Sequence, residues 1–271
     1  MNIIVTGAAS GIGCRVVTVL AEAGHAVVAT DVDELQLDAS AVRCVWSRDL
    51  VLACPHDVSN PQSWIDLISL TTERFGVLDA LINVAGVLRC EPVHELKPES
   101  VALQIDVNTK GVILGTQAAA AVMVPRRQGR IINMASMAAL APIPGISVYS
   151  ASKFAVRGFS LAAAQELEPH GVYVTVVCPD AVATPMVDYQ LDHAGAALTF
   201  SGPRILSVDE VAQAIVGLLE GKPRFELNLP RSRAWLAKAS SLFPRFLKRR
   251  ITARLMKQGL ARQQTLKSAR G

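Results

Sequence analysis

The chain has 271 residues, 51% of them hydrophobic and 18% charged, with a formal net charge of +4. That composition supports a large buried core in one or two domains and excludes a disordered or fibrous polymer. No apolar run approaches the ~20 residues that span a bilayer, the first residues do not read as a secretory leader, and the five cysteines are scattered without a C-x-x-C pair, so reduced thiols and a cytoplasmic protein are expected.

Residues 3–5 are a short apolar run and read as a strand. After three glycines, 13–23 reads as a helix, and the apolar, β-branched run 25–30 as a second strand. Residues 50–54 give a third strand, 63–75 a helix, 78–83 a fourth strand and 99–123 one long helix. A fifth strand over 130–134, a helix over 149–167, a sixth strand over 172–178, a helix over 208–220 and a last short strand over 225–229 follow. Strands alternate with helices, and the strands are continuous apolar runs, as expected for strands covered on both faces. The expected fold is α/β: a doubly wound, Rossmann-type parallel sheet of about seven strands. The expected division is one domain over 1–229 and a C-terminal helical extension over 230–271.

The opening turn suits an anion. A strand that feeds a helix through glycines leaves free backbone N–H groups at the positive end of the helix dipole. Gly7, Gly11 and Gly13 let the chain turn tightly, approach a pyrophosphate and pack the helix on the sheet. Their spacing departs from G-x-G-x-x-G, so a glycine-bearing turn without a ligand is the competing reading. Asp31 ends the second strand, where a carboxylate accepts from the ribose hydroxyls of a dinucleotide and repels a 2′-phosphate. No base follows it closely in "DVDELQ", and Ser10 rather than Lys or Arg precedes Gly11. Both features point to NAD over NADP; a solvated strand-end carboxylate is the plainer alternative.

Tyr149 and Lys153 are four residues apart and share a helix face. A phenol ionises near pH 10, and a neighbouring ammonium favours the phenolate. Tyr149 then serves as an acid/base, with Ser136, thirteen residues upstream, holding the substrate oxygen.

With these residues assembled, the chain resembles the short-chain dehydrogenase/reductase family over residues 1 to about 229. The turn Thr6-Gly7-x-x-x-Gly11-Ile12-Gly13 matches the family's cofactor turn, with Ser10 inside it. Asp57-Val58 matches the pair that contacts adenine. "NVAG", with Asn83, Ala85 and Gly86, matches the family's N-N-A-G, Val84 replacing the second Asn. Asn108 falls where the family has a fourth catalytic residue, which kinks its helix and holds a water beside the lysine. Ser136, Tyr149 and Lys153 match the other three. The resemblance implies an oxidoreductase that moves a hydride between a nicotinamide cofactor and an alcohol or ketone. Lys153 would also touch the nicotinamide ribose, and Pro179 and Thr184 would border the nicotinamide. Asp180 departs from the pattern, since the family has Gly after that proline. It either faces solvent or meets a polar part of the substrate.

The stretch from about Met186 to Leu206 is apolar and would hold the substrate, or bury its apolar groups on itself. Leu140, Ile143 and Ile146 offer another wall. A secondary alcohol on a hydrophobic skeleton fits best. The alternatives are an NADPH-dependent ketone reductase and a non-catalytic dinucleotide-binding protein of the same fold; the complete Ser136–Tyr149–Lys153 set favours catalysis. A homodimer or homotetramer is expected. The five histidines form no metal-ligand pattern.

Charge is unevenly placed. From Lys222 onward there are fourteen Lys and Arg and one acid, Glu226. In "FPRFLKRRITARLMKQGL", Pro244 can open a helix, with Leu247, Ile251 and Leu255 at i+4 spacing beside Phe246 and with Arg245, Lys248, Arg249, Arg250, Arg254 and Lys257 on other faces. Such a helix can lie on an anionic membrane, cap the substrate mouth, pack on another subunit, or dock on its own domain. Nucleic acid is disfavoured, since no aromatics interleave the bases. Residues beyond about Leu260 read as frayed.

Overall fold

The computed structural model describes residues 1–240 and 245–269. The expected opening of the last helix at Pro244 lies outside the described residues, as do the side chains of Arg245, Phe246, Leu247 and Lys248.

Seven strands form one parallel sheet: β1 (Asn2–Thr6), β2 (Ala26–Asp31), β3 (Val51–Pro55), β4 (Ala80–Asn83), β5 (Gly129–Met134), β6 (Val172–Pro179) and β7 (Glu226–Leu229), in the spatial order β3-β2-β1-β4-β5-β6-β7. Side chains alternate between the two faces. Ile3 and Val5 pack with Val27, Ala29 and Ile82 on one face, under α1 (Gly11–Glu22) and α8 (Val208–Glu220). Ile4 packs with Val28, Leu81 and Ile131 on the other, under α3 (Pro61–Phe75), α5 (Gly111–Met123) and α6 (Ser147–Leu167). Both layers are therefore apolar, and the strands read as unbroken runs. Leu20 of α1 is fully buried in the first layer, so Leu20→Ala should cost about 2–5 kcal/mol.

The strand order reverses at β1, which pairs with β2 on one side and β4 on the other. Ligand clefts in such sheets open at the carboxyl ends of strands beside this switch. Thr6 secures it: its hydroxyl accepts the Val84 and Ala85 N–H groups, both at 3.1 Å.

The expected long helix over 99–123 is interrupted. α4 (Pro98–Ile105) and α5 are separated by a π-turn, Asp106–Lys110, that carries Asn108. Two helices are added to the sequence reading, α2 (Glu34–Arg43) and α7 (Pro185–Leu191), while α9 (Arg231–Ser240) falls within the expected helical extension. A 3-10 segment, Ala194–Ser201, follows α7.

The last helix, α10 (Arg245–Ser268), runs well past Leu260, so the expectation of frayed residues there is corrected. The cause is docking. Gln263 is buried, and its amide donates to the carbonyls of Gln190, Leu191 and His193 at 2.8, 3.1 and 3.0 Å. Gly259 sits inside this helix although glycine costs about 1 kcal/mol there relative to alanine. A Cβ at that position would overlap the Ala197 carbonyl, so the close approach requires glycine.

Candidate active site

A cleft of about 510 Å³ runs along the carboxyl ends of β1, β2, β4, β5 and β6. At its first end, Gly7 adopts φ +69° and Gly11 φ +52°, in the left-handed region that glycine favours. A Cβ on Gly7 would stand 2.8 Å from the Ala85 backbone, and one on Gly11 3.1 Å from Thr184; one on Gly13 would overlap the Gly7 carbonyl. Ser10 is the N-cap of α1 but makes no side-chain cap bond, and the first turn of α1 has no acidic residue. This cradle of bare backbone at a helix N-terminus fits the pyrophosphate of a dinucleotide.

Asp31 borders the same end. Its carboxylate accepts the Ala9 N–H at 3.0 Å and the Asp33 N–H at 3.2 Å. Asp57 is fixed by Ser59, whose N–H and hydroxyl reach its Oδ1 at 2.9 and 2.7 Å. Val58 packs beside it, its carbonyl holding the Trp64 indole N–H at 2.9 Å. Ser10, Gly11, Ile12, Gly13, Asp31, Asp57, Val58, Ala85, Gly86, Pro179 and Thr184 all line the cleft.

Asn83 is not brought into it. Its amide donates to Asn133 at 2.9 Å, and Asn133 bonds Ser160 and Thr116 in turn, so this buried network ties β4, β5, α5 and α6 together behind the cleft floor. Asn108 is also fully buried. It accepts the Val87 N–H and donates to the Val87 carbonyl, both at 2.8 Å, and donates to Ser152 at 3.1 Å. It therefore pins the π-turn under the cleft wall. Asn108 and Lys153 are neighbours: a Cβ on Gly86 would stand 3.2 Å from Asn108 Oδ1 and 3.5 Å from Lys153 Nζ.

Ser136, Tyr149 and Lys153 converge in the middle of the cleft. Ser136 leaves β5 and caps a 3-10 turn, accepting the Ala138 N–H at 3.1 Å. Tyr149 and Lys153 project from the start of α6. Burial pushes the Tyr149 phenol up to about 12, against a lowering hydrogen bond with Ser136. Burial likewise pulls the Lys153 ammonium down to about 8. Burial shifts both groups in the direction of their uncharged forms, because a low-dielectric site penalises charge. The expected lowering of the phenol by the lysine is corrected: burial dominates, and the group that lowers the phenol is Ser136.

Beyond Tyr149 the walls are apolar. Leu88, Ile143, Ile146, Met186 and Val187 line them, as expected for the last four. Leu140 turns away to pack with Met137 and Ala234 of α9. The 186–206 stretch divides between the two expected settings: Met186 and Val187 line the cleft, while Leu191 and Phe200 bury themselves with Ala181 and Leu266. His56, Gln190 and Thr199 also reach the cleft and were not singled out by any motif. His56 precedes Asp57 in sequence, the one cue available for it.

Asp180 faces neither solvent nor open cleft alone. Its carboxylate pairs with Arg233 of α9 at 2.6 Å, with the acid side chain 7% exposed. Burial raises its pKa, and Arg233 and Arg262 oppose that rise.

A family profile described as short chain dehydrogenase matches residues 1–194. The chain belongs to the short-chain dehydrogenase/reductase family. It is an oxidoreductase fold whose members bind a nicotinamide dinucleotide, and the glycine cradle described above is where such a group fits. Among curated relatives of this short-chain dehydrogenase, a cyclopentanol dehydrogenase of Comamonas testosteroni is 34% identical over 228 residues, covering 82% of this chain and 91% of the relative. A 3-oxoacyl-[acyl-carrier-protein] reductase of Synechocystis is 35% identical over 186 residues, 68% and 75% of the two chains. Levodione reductase shares the fold, with a TM-score of 0.79 at 24% identity over 86% of this chain and 97% of that one. The closed form of a serine dehydrogenase complexed with NADP+ superposes with a TM-score of 0.76 at 28% identity, over 84% and 94%.

Among the described residues no group of His, Cys, Asp and Glu is arranged to hold a metal ion, and no helix is long and apolar enough to cross a membrane.

Proposed function

We propose that this short-chain dehydrogenase interconverts a secondary alcohol and a ketone on a hydrophobic skeleton with NAD(H). The observation that carries the reading is the convergence of Ser136, Tyr149 and Lys153 between a glycine cradle and an apolar wall in one cleft. A bound nicotinamide supplies the hydride acceptor or donor. The chain's own part is proton handling: Ser136 holds the substrate oxygen, Tyr149 takes or gives the proton at that oxygen, and Lys153 orients the ribose and favours the phenolate. Asn108 positions the segment beside Lys153. The similarity to a cyclopentanol dehydrogenase supports an alicyclic or comparably apolar alcohol.

Asp31 supports NAD, because its carboxylate would lie against a 2′-phosphate. The test is a screen of secondary alcohols and ketones with NAD and NADP, read by reduced-nicotinamide absorbance. Turnover with NADPH alone would move the reading to a ketone reductase, and cofactor binding without turnover of any alcohol or ketone to a non-catalytic protein.

The same proposal places the protein in the cytoplasm as a homodimer or homotetramer, which light scattering tests. One further observation favours a peripheral contact of the 230–271 extension with anionic membranes: Trp235 and Leu236 are 78% and 71% exposed on a strongly basic arm. Each base near such a surface contributes about 1 kcal/mol and is screened by salt. Co-sedimentation with anionic vesicles, lost at high salt, is the outcome that reading requires.

A further inference from the structure

The segment between β6 and α8 forms one wall of the cleft, and both of its sides are in contact closer than a methyl group allows. A Cβ on Gly145, in the loop before Tyr149, would overlap the Gly195 carbonyl; a Cβ on Gly259 of α10 would overlap the Ala197 carbonyl. Between these contacts, Ala196 is fully buried and packs with Tyr149 and Ile146. The 194–201 segment is thus clamped between the catalytic loop and the C-terminal helix.

Polar contacts reinforce the clamp at both ends. α7 ends at Leu191, and the last carbonyls of a helix lack intrahelical partners. Gln263 supplies them, donating to Gln190, Leu191 and His193. At the other end Arg262 donates to the Gly202 carbonyl, and Arg233 bonds the Ser201 hydroxyl at 2.8 Å while pairing with Asp180. Leu266 joins the apolar cluster of Val187, Leu191 and Phe200. Gln190, whose backbone is held by Gln263, accepts the Thr199 hydroxyl at 2.8 Å, and both residues line the cleft.

We infer that α10 is a working part of the substrate site: it holds the 185–202 wall against Tyr149 and thereby sets the bulk of apolar alcohol the cleft accepts. This rests on the alcohol–ketone reading above. Gln263, Gly259 and the Asp180–Arg233 pair are positioning residues that act through that wall. A free loop of this length pays an ordering cost when substrate binds; the docked helix has met it beforehand. The effect therefore falls on KM for bulky alcohols rather than on cofactor affinity.

The experiment uses full-length Gly259→Ala and Gln263→Ala proteins. Gly217→Ala is the matched control, since Gly217 lies on α8 with nothing within 4 Å of an added Cβ. In Gly259→Ala and Gln263→Ala, amide exchange over 185–202 should speed by about tenfold or more while β1 and α1 stay protected. KM for bulky apolar alcohols should rise about tenfold relative to a small cyclic alcohol, with NAD affinity within about twofold. Gly217→Ala should match the unaltered protein in all three. Lower thermal stability with unchanged exchange over 185–202 and unchanged KM would overturn the inference and leave α10 as bracing only. If Gly259→Ala does not fold, Gln263→Ala decides by the same readouts. If no alcohol is turned over by the unaltered protein, the functional reading fails, and exchange over 185–202 still decides whether α10 holds the wall.

Discussion

The Lys153 ammonium stands 5.7 Å from the centre of the Tyr149 ring and donates to the Met134 carbonyl at 2.8 Å. The lysine is thus anchored to the end of β5 rather than to the phenol. The site is dry enough that burial pushes both groups toward neutrality. If Tyr149 takes the proton as proposed, alcohol oxidation needs the phenolate, so its rate should climb with pH through the neutral range, and ketone reduction should fall. Initial rates in both directions across pH check this.

Tyr149→Phe removes one hydroxyl and keeps the ring. Turnover should fall by at least about 10²–10⁴-fold, the usual size of a general acid–base contribution. Cofactor affinity, measured by fluorescence titration, should hold. Near-normal turnover would refute the proton-transfer role.

Lys153 carries a stability signature. Its folded pKa, about 8, lies below the ordinary 10.5. Between those values the unfolded chain binds more protons, so stability rises with pH from about 8 to 10.5, and below 8 the burial cost is fully present. Lys153→Met abolishes that slope. Urea denaturation of the cofactor-free proteins should show the difference between variant and unaltered protein shrinking by about 3 kcal/mol across this window. Parallel pH profiles would contradict the buried ammonium.

Asp31→Ala should lower kcat/KM for NAD by about ten- to a hundredfold, the equivalent of a hydrogen bond to a charged group, and should leave NADP use unchanged or improved. Steady-state kinetics with both cofactors measures it. Comparable kcat/KM for the two cofactors in the unaltered protein would remove the basis for NAD preference.

Arg233→Ala strands a buried carboxylate. Losing one partner of such a pair costs about 3–5 kcal/mol, and the 21% exposure of the Arg233 side chain sets the lower end as the expectation. The folded pKa of Asp180 is already raised by burial and rises further without the arginine. The destabilisation should therefore be least in acid, where the carboxyl is protonated in both states, and full above the raised folded pKa. Denaturation at two pH values distinguishes this from simple loss of packing.

Much of the fold was readable because it follows from local pattern. Ile3, Ile4 and Val5 are apolar on both faces, which is what a strand between two helix layers requires. Ser207 caps Glu210 N–H at the start of α8, and the helix runs over the residues its spacing predicts. α2 carries no readable stripe, because only Leu37 and Ser40 are buried along it. The π-turn at Asn108 arises from bonds to Val87 and Ser152, partners distant in sequence. Asn83 looked like a cofactor ligand by motif, yet its partner Asn133 is fifty residues away. The docking of α10 runs against ordinary expectation, since the side chain that seats it deepest is a polar one, Gln263. The glycine at 259 was the available cue, because a glycine inside a helix signals a close neighbour.

The family profile ends at residue 194, where the stretch squeezed between Gly145 and Gly259 begins. Neither side of that stretch has room for a methyl group. A chimera that exchanges 194–201 alone between this enzyme and a relative therefore inherits two mismatched seams. A crossover ahead of Pro185 that carries through Ser268 moves the wall together with α10 and leaves one seam, at Gly145, to be matched. If α10 holds the wall as inferred, the productive unit for recombination and directed evolution of substrate scope is that whole span.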